Sequence, residues 1–179
     1  TAIPLTWTRL NSGQFITRDM VTTIAIDPND PGLMYAGTEN AGIYKSIDGG
    51  LSWQPAFNGL QDVRVHSIII DPTNSNIVYV GLETDRVYKT IDGGKSWKPA
   101  YSGLYDSGDW HQRLLMSPKD SSTLYYAAAQ GISKTTDGGD GWQKIRFPCD
   151  DGITDMAIDP VVPNVLFAGY YGGGKCGSP

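Results

Sequence analysis

The sequence predicts an all-β chain, a β-propeller built from four-stranded antiparallel blades. The first reason is a repeat. Ser46-Ile-Asp48-Gly-Gly50-Leu-Ser-Trp53 returns as Thr90-Ile-Asp92-Gly-Gly94-Lys-Ser-Trp97 and as Thr135-Thr-Asp137-Gly-Gly139-Asp-Gly-Trp142, at spacings of 44 and 45 residues. A period of that size marks one repeated supersecondary unit. The second reason is what lies between the copies: short β-branched or aromatic runs bounded by Gly, Pro, Asn or Asp, which read as strands. The third is composition, since 22 Gly and 11 Pro in 179 residues supply turns for many short strands and suit few long helices.

Each repeat opens with an apolar run and a turn. The runs are Ile24-Ala-Ile-Asp27-Pro28, Ile68-Ile-Ile-Asp71-Pro72, Leu114-Leu-Met-Ser117-Pro118 and Met156-Ala-Ile-Asp159-Pro160, with Ser replacing Asp in the third. A polar turn leads to a second run: Leu33-Met-Tyr-Ala-Gly37, Ile77-Val-Tyr-Val-Gly81, Thr123-Leu-Tyr-Tyr-Ala127 or Val165-Leu-Phe-Ala-Gly169. A third run, Gly42-Ile-Tyr-Lys-Ser46, Arg86-Val-Tyr-Lys-Thr90 or Gly131-Ile-Ser-Lys-Thr135, enters the signature, and the signature's Trp opens a fourth. Four antiparallel strands per period make one propeller blade, and a lone blade buries too little to stand by itself. The blades are expected at approximately 19–60, 63–104, 109–148 and 150–179 of a single domain spanning 1–179.

Trp7-Thr-Arg-Leu10 aligns with Trp53-Gln-Pro-Ala56, so residues 1–12 are expected to be the last strand of a further or shared blade. The fourth repeat supplies its first two strands, at about 153–158 and 165–169, and then a Gly-rich tail without a signature. Two arrangements follow. Trp7's strand closes a four-bladed ring, or the chain is part of a larger propeller completed by further chain or missing blades. The second is preferred, because the last repeat lacks a third strand and a box; an open arc would leave apolar blade faces bare at both ends. A first residue of Thr, not Met, is expected of a processed or truncated chain.

Ser/Thr-x-Asp-x-Gly-x-x-Trp is the pattern of the Asp-box, or BNR repeat. It is carried by Ser46, Asp48, Gly50 and Trp53, by Thr90, Asp92, Gly94 and Trp97, and by Thr135, Asp137, Gly139 and Trp142. The chain therefore resembles Asp-box propellers: bacterial sialidases and xyloglucanases, sortilin-type receptors and photosystem II assembly factors. On physical grounds the box is a structural turn. The short polar side chain and Asp bond nearby backbone, the glycines admit positive φ, and the Trp packs between blades while its N–H finds a partner. Asp137-Gly-Gly-Asp140 could be read as a calcium site, but the ligand positions of an EF-hand loop are missing, so no metal and no cofactor are expected.

Charge narrows the partners. A net charge of −5 without any Lys/Arg cluster argues against nucleic acid. No apolar run reaches the length of a membrane span. Cys149 and Cys176 map to one face, and a disulfide between them would close a loop of 27 residues, with free thiols as the alternative. The bond would fit the extracytoplasmic location expected of the chain, whether secreted, periplasmic or at the cell surface.

Strand order sends the Asp-Pro turns and Asp-boxes to one face. The other face receives the loops between second and third strands and the loops joining blades, and ligand candidates concentrate there. Those leading into the innermost strands are Asp19, Arg64, His66, Asp109, Trp110, His111, Arg113, Asp151 and Asp155. The second loops add Glu39-Asn40, Glu83-Thr-Asp85-Arg86, Gln130 and Tyr170-Tyr171. Mixed aromatic, acidic and basic groups suit a sugar or peptide. A protein or glycan partner is therefore expected, and the first reading is a non-catalytic propeller that binds or scaffolds another macromolecule. The alternative, a xyloglucanase- or sialidase-like glycoside hydrolase or a fragment of one, needs a carboxylate pair that the sequence does not single out. The Arg-Ile-Pro motif of sialidases is missing, and so are nucleophile, phosphate-loop and dinucleotide motifs.

Overall fold

The computed structural model describes residues 19–83, 86–104, 113–128, 131–145 and 152–171. Trp7 and the strand expected at 1–12 lie outside these residues. So do Asp85, Asp109, Trp110, His111, Gln130, Asp151, Cys149 and Cys176.

The chain is all-β, with three complete four-stranded antiparallel sheets and one partial sheet. Blade 1 comprises β1 (Val21–Ile26), β2 (Met34–Thr38), β3 (Ile43–Ser46) and β4 (Gln54–Pro55). Blade 2 comprises β5 (Val65–Ile70), β6 (Val78–Leu82), β7 (Arg86–Thr90) and β8 (Lys98–Pro99). Blade 3 follows as β9 (Arg113–Ser117), β10 (Asp120–Ala128), β11 (Gly131–Thr135) and β12 (Gln143–Ile145). Blade 4 has β13 (Gly152–Ile158) and β14 (Leu166–Tyr171) as a two-stranded sheet. Within each complete blade the strands lie in chain order, as hairpin connections require.

Blade 3 differs from the expected pattern. Its second strand begins at Asp120, earlier than Thr123, and pairs at once with Ser117. Here Asp120 does the capping that Asp27 and Asp71 do elsewhere. It accepts bonds from Ser122 and Thr123, whereas Asp27 caps Asn29 and Asp30, and Asp71 caps Thr73.

The core consists of three seams between successive blades, since alternate residues of a strand face opposite neighbours. Tyr35 of blade 1 packs with Ile68, Ile70, Val78 and Val80 of blade 2. Tyr79 of blade 2 packs with Leu114, Leu124 and Tyr126 of blade 3. Tyr125 and Ala127 of blade 3 pack with Ile153 and Met156 of blade 4. This two-sided burial is why the inner runs are almost wholly apolar. On the sides of blades 1 and 4 that face away from these seams, Ile24 is 58% exposed, Ile26 53% and Phe167 62%.

Glycine in the second strand lets inner strands crowd together. Gly37 lies opposite Thr23, and a Cβ there would stand 2.4 Å from Val65 Cγ1 of the next blade. Each of β1, β5 and β13 also shifts register near its start, between Val21 and Thr23, Val65 and Ser67, and Ile153 and Asp155. Thr22, His66 and Thr154 are the extra residues. Bulges of this kind re-aim side chains and end pairing beside functional loops.

Candidate binding face and the interblade seams

The Asp-box is a self-contained hydrogen-bonded turn. In the first copy the Ser46 hydroxyl donates to Asp48 Oδ1 at 2.7 Å and accepts from Gly50 N at 2.9 Å. Ser52 donates its N–H to Asp48 Oδ1 and its hydroxyl to Oδ2 at 2.6 Å. The Ser52 bonds, with that from Ser46, hold the Asp48 carboxyl at about 2. The second copy repeats every contact with Thr90, Asp92, Gly94 and Ser96. The third has Thr135 and Asp137 but Gly141 in place of Ser, so only the backbone N–H reaches Asp137 from that side. Both glycines of each box adopt positive φ, for example Gly49 at 71° and Gly50 at 87°. The box also ties to the neighbouring turn of its own blade, through Gly49 N to Gly32 O, Gly93 N to Asn76 O and Gly138 N to Ser122 O.

The boxes do more than turn the chain. Tyr35 Oη and Lys45 Nζ of blade 1 both donate to the carbonyl of Gly93, in the box of blade 2, at 2.9 and 2.8 Å. Tyr79 Oη and Lys89 Nζ of blade 2 do the same to Gly138 of blade 3, each at 3.0 Å. Trp97 and Trp142 complete the seams from the other direction, donating Nε1–H to Ala56 O and Ala100 O of the preceding blade at 2.7 and 2.8 Å. Trp53 of blade 1 donates instead to Gly50 O within its own box, at 3.0 Å. The sequence repeats the Lys in every complete blade and the Tyr of the second strand with it, but their joint target emerges only when the blades are stacked.

On the opposite face the described candidates fall into three clusters. Asp19 closes a turn: it accepts from Asn40 N at 2.7 Å, Asn40 Nδ2 at 3.1 Å and Met20 N at 2.9 Å. Desolvation pushes its carboxyl up, but the bonds from Asn40 and Met20 outweigh that and leave it below the usual range. In blade 2, Arg64 Nε lies 2.8 Å from Glu83 Oε2, and His66 Nε2 lies 3.9 Å from the same oxygen. Asp62, absent from the candidates that the sequence pattern singles out, joins this group at 4.0 Å from Arg64 Nε and caps the N–H groups of Val63 and Arg64. Its only sequence signal is an acidic residue two positions ahead of Arg64.

The third cluster spans blades. Arg113 Nε of blade 3 lies 3.4 Å from Asp155 Oδ1 of blade 4, with the side chains 51% and 69% exposed. The two residues occupy the same register position, Arg113 opposite Ala127 and Asp155 opposite Gly169, where Thr23 and Ser67 stand in blades 1 and 2. Glu39 extends the face by donating its N–H to Met20 O. Among the described residues no group of His, Cys, Asp and Glu is arranged to hold a metal ion. No helix among the described residues is long and apolar enough to cross a membrane.

Stacked four-stranded blades locked by these turns define an Asp-box β-propeller domain. The Sortilin-Vps10 profile, described as sortilin, neurotensin receptor 3, matches residues 41–151, and the chain belongs to this family. No curated protein matches the chain. Among solved structures, the GH74 enzyme of Niastella koreensis is similar with a TM-score of 0.66 and 25% identity, over 81% of this chain and 24% of that one. The GH74 xyloglucanase of Xanthomonas campestris gives a TM-score of 0.61 and 24% identity, over 81% and 26%. YCF48 bound to D1 peptide gives 0.61 and 20%, over 82% and 48%. The chain thus spans about a quarter of the length of the GH74 proteins and about half that of YCF48.

Proposed function

We propose that this chain is a non-catalytic, extracytoplasmic propeller unit that binds or scaffolds another macromolecule on the face carrying Arg64, His66, Arg113 and Asp155. The observation behind this reading is how the described carboxylates are used. Asp19 closes a turn, Glu83 faces Arg64 at 2.8 Å, and Asp155 faces Arg113 at 3.4 Å. Hydrolysis of a glycoside needs two carboxyl groups aimed across one bond from opposite sides. Carboxylates committed to turns and guanidinium groups instead hold shape and present charge. The Arg113–Asp155 pair is exposed enough to exchange partners with a charged segment, and such rim charges guide association. A protein segment is the first expected ligand, and the peptide complex of YCF48 supports that choice by fold alone.

The second reading is a portion of a glycoside hydrolase, favoured by the 25% identity to the GH74 enzyme. One experiment separates the two. An array of extended peptides of varied charge and a panel of β-linked polysaccharides, xyloglucan included, are presented to the chain, with retention and reducing-sugar release both measured. The binding reading expects peptide retention that Arg64→Ala and Arg113→Ala weaken, and no release of reducing sugar. Release abolished by Asp155→Ala would replace it with the hydrolase reading. An extracytoplasmic location expects Cys149 and Cys176 to be bonded in the native protein, and intact mass after alkylation reads that directly.

A further inference from the structure

Asp or Asn followed by Gly rearranges spontaneously more readily than other pairs. The glycine nitrogen, with no neighbouring Cβ to hinder it, can reach the preceding side-chain carbonyl carbon and close a cyclic imide. Five such pairs lie wholly within the described residues: Asp48-Gly49, Asn58-Gly59, Asp92-Gly93, Asp137-Gly138 and Asp140-Gly141. In four of them the glycine nitrogen is occupied. Gly49 and Gly93 each donate their N–H at 3.0 Å, to Gly32 O and Asn76 O, and Gly138 donates to Ser122 O at 2.8 Å. Gly141 donates to Asp137 Oδ1 at 2.9 Å. The box carboxyls are also poor targets because they stay ionised. The hydroxyls of Ser52, Ser96 and Thr135 lead the bonds that hold Asp48, Asp92 and Asp137 below the usual range.

Asn58-Gly59 has neither protection. Both residues are exposed, and the Gly59 N–H donates to nothing among the described residues. Gly59 sits at φ 93° in a turn that Leu60 N closes onto Phe57 O at 3.1 Å. The one hold on the Asn58 amide is a 3.2 Å bond from Nδ2 to Lys95 O, on the exposed rim, and brief local opening releases it. This turn is a strap from blade 1 to blade 2. Asn58 O accepts from Trp97 N at 2.9 Å, Ala56 O accepts from the Trp97 indole at 2.7 Å, and a Cβ on Gly59 would stand 2.6 Å from Trp97 O. The next strap repeats the design with Ser102 and Gly103 against Trp142, and Ser102 has no amide to lose.

We propose that Asn58 is a site of spontaneous covalent modification, deamidating through Gly59 to aspartate and isoaspartate, and that the conversion unlatches blade 1 from blade 2. Hydroxide removes the Gly59 amide proton, and the nitrogen attacks Asn58 Cγ. The new C–N bond closes the imide as the Cγ–Nδ2 bond breaks and ammonia leaves. Water then opens the ring. Cleavage between Cγ and the glycine nitrogen leaves aspartate. Cleavage of the original peptide bond leaves isoaspartate, with the chain routed through Cγ. Nothing is oxidised or reduced, and water and hydroxide are the only other reactants. Aspartate sets a carboxylate oxygen against Lys95 O where an amide donor stood. Isoaspartate lengthens the strap by a methylene, and Gly59, already packed on Trp97 O, has no room to absorb it. Trp97 then loses Asn58 O, and its indole loses its alignment on Ala56 O. The site is separate from the proposed macromolecule-binding face and does not depend on that reading.

The test ages the intact chain in mildly alkaline buffer beside a synthetic peptide of residues 55–61. Peptide mapping by mass spectrometry, with aspartyl and isoaspartyl products separated, follows both. Asn58 is expected to convert in the folded chain while the four Asp-Gly pairs stay intact. In urea, where those glycine nitrogens lose their partners, the Asp-Gly pairs are expected to rearrange as well. Melting then reads the consequence. Asn58→Asp is expected to melt about 2–4 °C below the unaged chain, as loss of one hydrogen bond implies, and the isoaspartyl form lower still. Asn58→Ser, which copies the second strap, is expected to keep its melting temperature through ageing. Asn58 that persists in the folded chain while the peptide converts would overturn the proposal, as would Asp-Gly pairs that rearrange there as readily as Asn58. Conversion without any fall in melting temperature would overturn it too, and so would an Asn58→Ser chain that loses as much on ageing as the original.

Discussion

The hydroxyl of Tyr35 donates to the backbone carbonyl of Gly93 over 2.9 Å, from one blade into the Asp-box of the next. Both partners are drawn from the repeat, and Tyr79 and Gly138 make the same bond one blade further on. The box therefore couples blades as well as turning the chain. Tyr35→Phe should lower stability by about 1 kcal/mol, the usual net worth of one hydrogen bond. Lys45 still satisfies Gly93 O in that variant, so the double variant Tyr35→Phe/Lys45→Met should lose more than the sum of the two singles. Urea unfolding of the four proteins reads the coupling.

The same tyrosine sets an alkaline limit. Burial, reinforced by the nearby Asp27 and Asp92 charges, pushes the Tyr35 phenol up to about 12. The folded chain then holds a proton that the unfolded chain releases from about pH 10. Stability from this group is complete below about pH 10 and declines as the pH rises from there towards 12. Tyr35→Phe should flatten that decline, measured as melting temperature against pH.

At the acid end the Asp-box sets the limit. Asp48 is held at about 2, against an ordinary value of 3.8, by the hydroxyl and N–H of Ser52 and then the hydroxyl of Ser46. Because the folded value lies below the unfolded one, its stabilisation is present above about pH 4 and is lost as the pH falls towards 2. Asp48→Asn should reduce the slope of stability against pH in that window. Ser52→Ala should narrow the window by letting the Asp48 carboxyl titrate closer to its ordinary value.

Two glycines with the same place in the repeat should behave differently. A Cβ at Gly37 meets Val65 Cγ1 at 2.4 Å and Val65 Cβ at 2.7 Å, and the second of these cannot rotate away. A Cβ at Gly81 meets Ser67 Oγ at 2.7 Å, which a rotamer change can relieve. Gly37→Ala should therefore cost about 1–3 kcal/mol as an overpacked core does, and Gly81→Ala clearly less. Chemical denaturation of both variants checks the order.

The third box can be improved. Gly141 stands where Ser52 and Ser96 donate hydroxyls to Asp48 and Asp92, and a Cβ there would contact only Asp137 Oδ2, at 3.3 Å. Gly141→Ser should add the missing bond and restrict the unfolded chain, raising the melting temperature by roughly 1–3 °C.

Much of this molecule is legible in the sequence because its physics is local. The Asp-box bonds join near neighbours in the chain, and the alternation and turn residues that mark strands act over similar distances. The order of Ser46, Asp48 and Gly50 along the chain is therefore enough to mark a turn. What spans blades is less legible. Tyr35 and Gly93 are 58 residues apart, and nothing near either one names the other. Arg113 and Asp155 both stand out as candidates, but their contact depends on equal register in neighbouring blades, which a bulge in β13 adjusts by one residue. Asp62 escapes notice because a carboxylate in a polar loop gives no sign of whether it faces water or an arginine. Blade 3 carries Ser117 where the other blades have Asp, and the capping role moves to Asp120, a shift that motif matching does not place.

Reducing-sugar release from xyloglucan and related polysaccharides tests the central claim most directly. A binding unit whose carboxylates are spent on turns and on arginines is expected to release none, while still retaining peptides through Arg64 and Arg113. Sustained release that disappears in Asp155→Ala would contradict that account and make the Arg113–Asp155 pair part of a catalytic site.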